Sequence, residues 1–211
     1  LEANLERLRR VHAAFTSHEA RELQRTTLDA LLQRTRNEPE LPWWSMAQVL
    51  AASWAEEAGD LPRARSLAQA GTQAYPDSEG AQACQQLIAR IEAPALQLHA
   101  NRLDGPNRRS IAVQHKNLKR VYFRAYRSDA FERGVLDAHW QQIPRGAALH
   151  ALLQTAPSAQ WEVSLPELGD YAEHRTFVTP PIAEYGLYTV LASAQADFRE
   201  QDGNAISGAQ L

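Results

Sequence analysis

Ile88-Ala89-Arg90-Ile91-Glu92-Ala93-Pro94-Ala95-Leu96-Gln97-Leu98-His99-Ala100 is the stretch in which the chain changes its period. Upstream, Ala81, Cys84, Leu87, Ile88 and Ile91 recur at the three- and four-residue spacing of one helix face. Downstream, Leu96, Leu98 and Ala100 alternate with Gln97, His99 and Asn101, the two-residue period of a half-buried strand. Pro94 stands at the join, where it ends a helix by denying a backbone donor. The reading predicts an α+β chain of two domains, helical over residues 1–93 and antiparallel β over residues 95–211. A chain of 211 residues is long enough to give each its own core.

Towards the N-terminus the helical period persists. Leu1, Leu5, Leu8, His12 and Phe15 share a face, and a helix is expected to end near Phe15. Thr16 then reads as an N-cap, with Glu19 completing a capping box, before a second helix carrying Leu23, Leu28, Leu31 and Leu32. Pro39 and Pro42 interrupt the pattern, and a third helix starting at Pro42 presents Trp43, Ala47, Leu50 and Trp54. Gly59-Asp60-Leu61-Pro62 separates it from a fourth, with Asp60 as the cap and Ala64, Leu67, Ala68 and Gly71 on the inner face. Small residues at Ala51, Ala52, Ala55, Ala64, Ala68 and Gly71 predict two closely packed helices, and Tyr75-Pro76-Asp77-Ser78 closes the fourth.

Towards the C-terminus, Asp104-Gly105-Pro106-Asn107 reads as a turn, and Ile111 and Val113 alternate again. Val121, Phe123 and Ala125 oppose Tyr122, Arg124 and Tyr126, and further strands are expected at Trp161–Leu165, His174–Thr179 and Leu187–Ser193. Residues 128–160 form a helical insertion, with Phe131, Val135, Leu136 and Trp140, then Leu149, Leu152 and Leu153, at helical spacing and Pro144 between them. The insertion is expected to pack on the protein itself, since a free segment with so many apolar side chains exposes an adhesive patch. Gly186-Leu187-Tyr188-Thr189-Val190 has the pattern of a tyrosine corner, which favours a β-sandwich. Six strands can be counted, and the seventh is expected around Ala205–Leu211, with the chain stopping inside or just before it.

Charge excludes some functions. Residues 1–94 hold 10 Lys+Arg against 13 Asp+Glu and residues 95–211 hold 12 of each, so neither half has the positive surplus that nucleic acid or an anionic membrane attracts. No run approaches the roughly 18 apolar residues of a membrane span, and Leu1-Glu2-Ala3-Asn4 is no signal peptide. One cysteine, Cys84, excludes a disulfide framework.

The stretch from Ser45 to Ser78 resembles a tetratricopeptide repeat, a unit of about 34 residues, although Gln48 and Ala55 replace expected aromatic residues. Lys119–Arg127, Trp161–Pro166, Leu168-Gly169-Asp170-Tyr171 and Gly186-Leu187-Tyr188 resemble a macroglobulin-type β-sandwich near the start of very large bacterial α2-macroglobulin-like envelope proteins. The resemblance implies an immunoglobulin/macroglobulin-like sandwich joined to TPR-like hairpins, a periplasmic or cell-envelope location, and a supporting role in protease trapping. It implies no thioester in this chain. Cys84-Gln85-Gln86-Leu87 departs from Cys-x-Glu-Gln at Gln86 and Leu87.

No residue set points to catalysis, a cofactor or a metal. Cys84 lies on an apolar helix face and reads as buried packing. His99 and His115 lack the ligand spacing of a metal site and read as solvent-facing strand residues. Glu56, Glu57 and Asp60 flank a turn beside Arg63 and Arg65 and read as surface charge, and Asp202-Gly203-Asn204 reads as a hairpin turn. Trp43 and Trp44 point about 100° apart on a helix and cannot fill one core. With Trp140 they are the candidate contacts for a protein partner or for other domains of the same polypeptide. The expected function is non-catalytic: an interaction and architectural region, or alternatively a free-standing TPR-type adaptor that binds a peptide.

Overall fold

The structure, a computed structural model, describes residues 1–35, 43–100, 108–128, 143–200, 204 and 206–211. The chain divides into two units, Leu1–Glu92 with Gly169–Tyr171, and Ala93–Leu168 with Ala172–Leu211. The first is helical and the second is built from antiparallel strands, an α+β chain.

The helical unit contains α1 (Glu2–Ala14), α2 (His18–Thr35), α3 (Trp43–Glu57), α4 (Leu61–Ala74) and α5 (Glu79–Glu92). α3 is the shared wall of two cores. Its Ala47, Leu50, Ala51 and Trp54 join Leu5, Leu8, Leu28, Leu31 and Leu32 of α1 and α2. Its Ala52 and Ala55 join Ala64, Ala68, Cys84, Leu87 and Ile91 of α4 and α5, with Tyr171 packed at the edge. Small residues permit this double burial. A Cβ at Gly71 would lie 2.6 Å from Cys84 Sγ and 2.9 Å from Gln48 Cβ.

Local chemistry sets the helix ends. Gly59, at φ +79°, occupies the left-handed position that closes α3: its N–H donates to Glu56 O and the Asp60 N–H to Ala55 O. Asp60 then opens α4 by accepting from the Arg63 N–H at 3.1 Å, with Pro62 in the first turn. α2 is capped by Ser17, whose Oγ accepts from the Ala20 N–H at 3.3 Å, in place of the expected Thr16. Two expected core residues are exposed: Phe15 (58%), beyond the end of α1, and Leu23 (69%). The buried set on α2 is Gln24, Leu28, Leu31, Leu32 and Thr35, so the inner stripe runs through Gln24, about 100° round from Leu23.

The second unit holds β1 (Ala95–Ala100), β2 (Ile111–Lys116), β3 (Arg120–Ser128), α6 (Ala147–Leu153), β4 (Ala159–Ser164), β5 (His174–Val178), β6 (Leu187–Ser193) and β7 (Ile206–Gln210). One sheet has the order β1-β2-β5 and the other β4-β3-β6-β7, every neighbour antiparallel. Leu98, Ile111, Val113 and Val178 of the first share one core with Val121, Phe123, Val190 and Ala209 of the second. The Phe123 and Trp161 rings stack at 4.9 Å.

The strand expected near the C-terminus is β7. β7 is paired with β6 in the register Val190↔Ala209, and Leu211 exchanges both backbone hydrogen bonds with Tyr188. The tyrosine corner is absent among the described residues, where no hydrogen bond is made by the Tyr188 hydroxyl. Instead the Arg109 guanidinium lies over the Tyr188 ring at 5.1 Å and donates to Glu184 O and Gly186 O, both at 3.0 Å.

The four-stranded sheet is covered on both faces. Tyr126, Leu191 and Phe198 form a second cluster with Leu149, against which Ile143, Leu152 and Leu153 pack. The helical part of the expected insertion is α6, within the described residues 143–160. Phe131, Val135, Leu136 and Trp140, like the 104–107 turn and Asp202-Gly203, lie outside the described residues.

His115 corrects a further expectation. It is 2% exposed, facing inward in phase with Ile111 and Val113, and its Nε2 shares a hydrogen bond with Thr176 Oγ1 at 3.0 Å. Burial pushes its imidazole below the ordinary value of 6.5, and the His174 ring, 6.0 Å away, pushes the same way. An unfolded chain therefore takes up this proton before the folded one. The stabilising contribution is complete above about pH 6.5 and is lost as the pH falls below it. Urea midpoints at pH 7.5 and 5.5 should show this acid-side loss in the wild type and a smaller loss in His115→Gln. Equal losses in the two proteins would exclude His115 as the source.

Candidate interaction surface

His12 determines how α1 sits on the helical unit. Its Nδ1 lies 2.7 Å from Gln24 Oε1 on α2, its Nε2 3.0 Å from Glu57 Oε2 on α3, and its ring stacks on Trp54 at 4.2 Å. Gln24 also donates through Nε2 to Val11 O at 3.4 Å, which accounts for a buried amide on the inner stripe of α2. These bonds fasten the turn end of the α1–α2 hairpin.

Along the outer side of that hairpin runs an open groove of about 800 Å3. Leu8 and Leu31 form its floor, Val11 and the exposed Leu23 its walls near the turn, and Arg7 and Arg34 bring positive charge. Neither arginine makes an ion pair among the described residues, whereas Arg10 pairs with Glu6 and Arg25 with Glu22 on the same helices. Among the described residues no carboxylate lines the groove. A smaller recess of about 60 Å3 beside Trp54, bordered by the Arg63–Asp29 ion pair, has no room for a peptide.

Compared with known proteins, the chain matches no family model, no curated protein and no solved structure.

The tryptophans separate as their spacing requires. Trp44 packs against the α1–α2–α3 core and donates through Nε1 to Leu32 O at 3.4 Å, satisfying a carbonyl near the end of α2. Trp43 is 39% exposed, and neither tryptophan lines the groove. Trp140 lies outside the described residues. Of the residues that shape the groove, Leu23 was assigned by sequence to the inner face of the second helix, and Arg7 and Arg34 were not singled out. Their signal was the offset between Leu23 and the stripe through Leu28, Leu31 and Leu32.

The remaining polar candidates have structural duties. Glu56 receives both Nε and Nη2 of Arg90, Glu57 holds His12, and Asp60 caps α4. His99 is exposed. Among the described residues no three or more His, Cys, Asp or Glu side chains gather to hold a metal ion, and no helix is long and apolar enough to cross a membrane.

Cys84 is fully buried, and its thiol donates to Ser45 O at 3.8 Å. Burial raises its pKa to about 11, so the nucleophilic thiolate is scarce at neutral pH. Labelling of the native protein by a thiol reagent should run about a hundredfold slower than labelling of the unfolded chain. Equal rates would mean that α5 opens readily.

Proposed function

We propose that this chain is a non-catalytic interaction and architectural region of a large bacterial α2-macroglobulin-like envelope protein. The helical unit docks a segment of a protein partner, and the two-sheet unit serves as a macroglobulin-type spacer. The observation that carries the reading is the open, apolar-floored groove of the α1–α2 hairpin, on a unit whose His12, Glu56, Glu57 and Asp60 are engaged in caps and helix ties.

Two features support the finer architecture. The α3–α4 pair, with Ala52, Ala55, Ala64, Ala68 and Gly71 buried between helices, has the small-residue seam of a tetratricopeptide-type hairpin. Among the described residues, seven strands in two antiparallel sheets about one core suit an immunoglobulin-like sandwich, with β4 on the sheet of β3 and β6. On this reading the protein acts in the periplasm or cell envelope, where it supports protease trapping by domains outside these residues.

The complete reading frame is the test. Further two-sheet domains after this region, with a Cys-x-Glu-Gln segment or a bait region in one of them, are the expected finding. A reading frame that ends at the seventh strand would overturn the macroglobulin-like assignment and leave a peptide-binding adaptor.

A further inference from the structure

We infer that the α1–α2 groove takes an acidic amphipathic helix of a protein partner, about three turns long, with an apolar anchor at one end and carboxylates toward the other. The inference rests on the reading of this groove as a docking surface and adds the chemical class of its occupant.

Length and polarity follow from the helices. On α2 the lining runs from Leu23 to Arg34, which at 1.5 Å per residue is roughly 16 Å, or three helical turns. The His12–Gln24 bond places Val11 and Leu23 at the turn end of the antiparallel hairpin. Arg34 then lies at the opposite end and Arg7 between them. Both guanidiniums lie toward the untied end, with Leu8 and Leu31, whereas the tied end offers Val11 and the exposed Leu23 beside Gln24, Thr26 and Thr27.

The secondary structure of the occupant follows from the walls. Both are helices, whose backbone groups are already paired, so an extended segment would find no ladder for its own N–H and C=O groups. A helix brings its backbone satisfied and offers residues at i, i+3, i+4 and i+7 to the strip formed by Leu8, Val11, Leu23 and Leu31.

Charge fixes the class. Residues 1–35 carry six Lys+Arg against five Asp+Glu, whereas residues 36–94 carry four against eight, so the hairpin is the positive part of an acidic half-chain. Arg7 and Arg34 reach the groove without a carboxylate in its lining or an ion pair among the described residues. A guanidinium in that setting pairs well with a partner's carboxylates through two parallel hydrogen bonds.

The test is fluorescence anisotropy of the whole 211-residue chain with two labelled helical peptides of about five turns. One carries a leucine stripe flanked by glutamates, and the other has every glutamate replaced by lysine. The acidic peptide should bind at least tenfold more tightly than the basic one and weaken with added salt. Leu23→Ser and the double variant Arg7→Glu/Arg34→Glu should each lose about tenfold or more in affinity, with melting temperatures unchanged because all three side chains are exposed. Equal binding of the two peptides, weakened by Leu23→Ser, would leave a docking groove and overturn the acidic class. Failure of both peptides to bind at about 1 mM, the weak end of useful affinities, would overturn the inference and the docking reading together. Acidic-peptide binding untouched by either variant would place the contact elsewhere and also overturn it.

Discussion

Phe123→Ala is expected to destabilise the two-sheet unit by about 4 kcal/mol, the usual cost of deleting a buried phenylalanine. Phe123 is 1% exposed on β3, which is hydrogen-bonded to β4 on one side and β6 on the other. Its ring lies parallel to that of Trp161, 3° apart, so truncation removes a stacked pair together with the core filling. The neighbours opposite Phe123 are Trp161 and Ala192, and Ala192 is too small to collapse into the space. Hydrogen exchange can assign the damage to its unit. Amides of β3 and β6 should lose protection, while those of α3 and α4, which have separate cores, keep theirs. Unchanged protection in β3 would mean that Phe123 does not hold the two sheets together.

How much of this was legible depended on whether one period or one neighbour decided the position. The break at Pro94, the Asp60 cap and the alternation through Val121, Phe123 and Ala125 are local signals, and the structure follows them. His115 was legible too, in phase with Ile111 and Val113, but its residue type argued for solvent and the period prevailed. Other positions needed information from far along the chain. Gln24 is buried instead of Leu23 because His12 and Val11 O provide partners for its amide. Tyr126 breaks the inside–outside rule because Leu149 covers the second face of its sheet. β7 has a weak alternation because Gly208 sits where a Cβ would be 2.5 Å from Ile143 Cγ2. The groove belongs to this second class. Its apolar and cationic residues lie on two helices, and only the hairpin geometry brings them to one side.

Gly80→Ala sets two opposing effects against each other. In an unconstrained helix, replacing glycine with alanine gains roughly 0.5–1 kcal/mol by reducing the freedom of the unfolded backbone. At Gly80 the added Cβ would lie 2.5 Å from Met46 N, 2.7 Å from Ser45 C and 2.8 Å from Ser45 Cβ. The first two are backbone atoms of α3, and Ser45 is itself anchored by donating from Oγ to Gly71 O at 2.7 Å, so α3 cannot yield locally. α5 must move away instead, which opens the cluster formed by Cys84, Leu87 and Ile91 against Ala52 and Ala55. Overpacking of this kind costs about 1–3 kcal/mol, and at a contact with backbone the upper end applies. The net expectation is a loss of about 2 kcal/mol, read as a lower urea midpoint. Ala89→Gly on the exposed face of the same helix is the internal comparison and should lose only the propensity difference of about 0.5–1 kcal/mol. If Gly80→Ala raises the midpoint, α3 and α5 do not approach as closely as the glycine implies. If it lowers the midpoint and also speeds thiol labelling of Cys84, displacement of α5 is the cause.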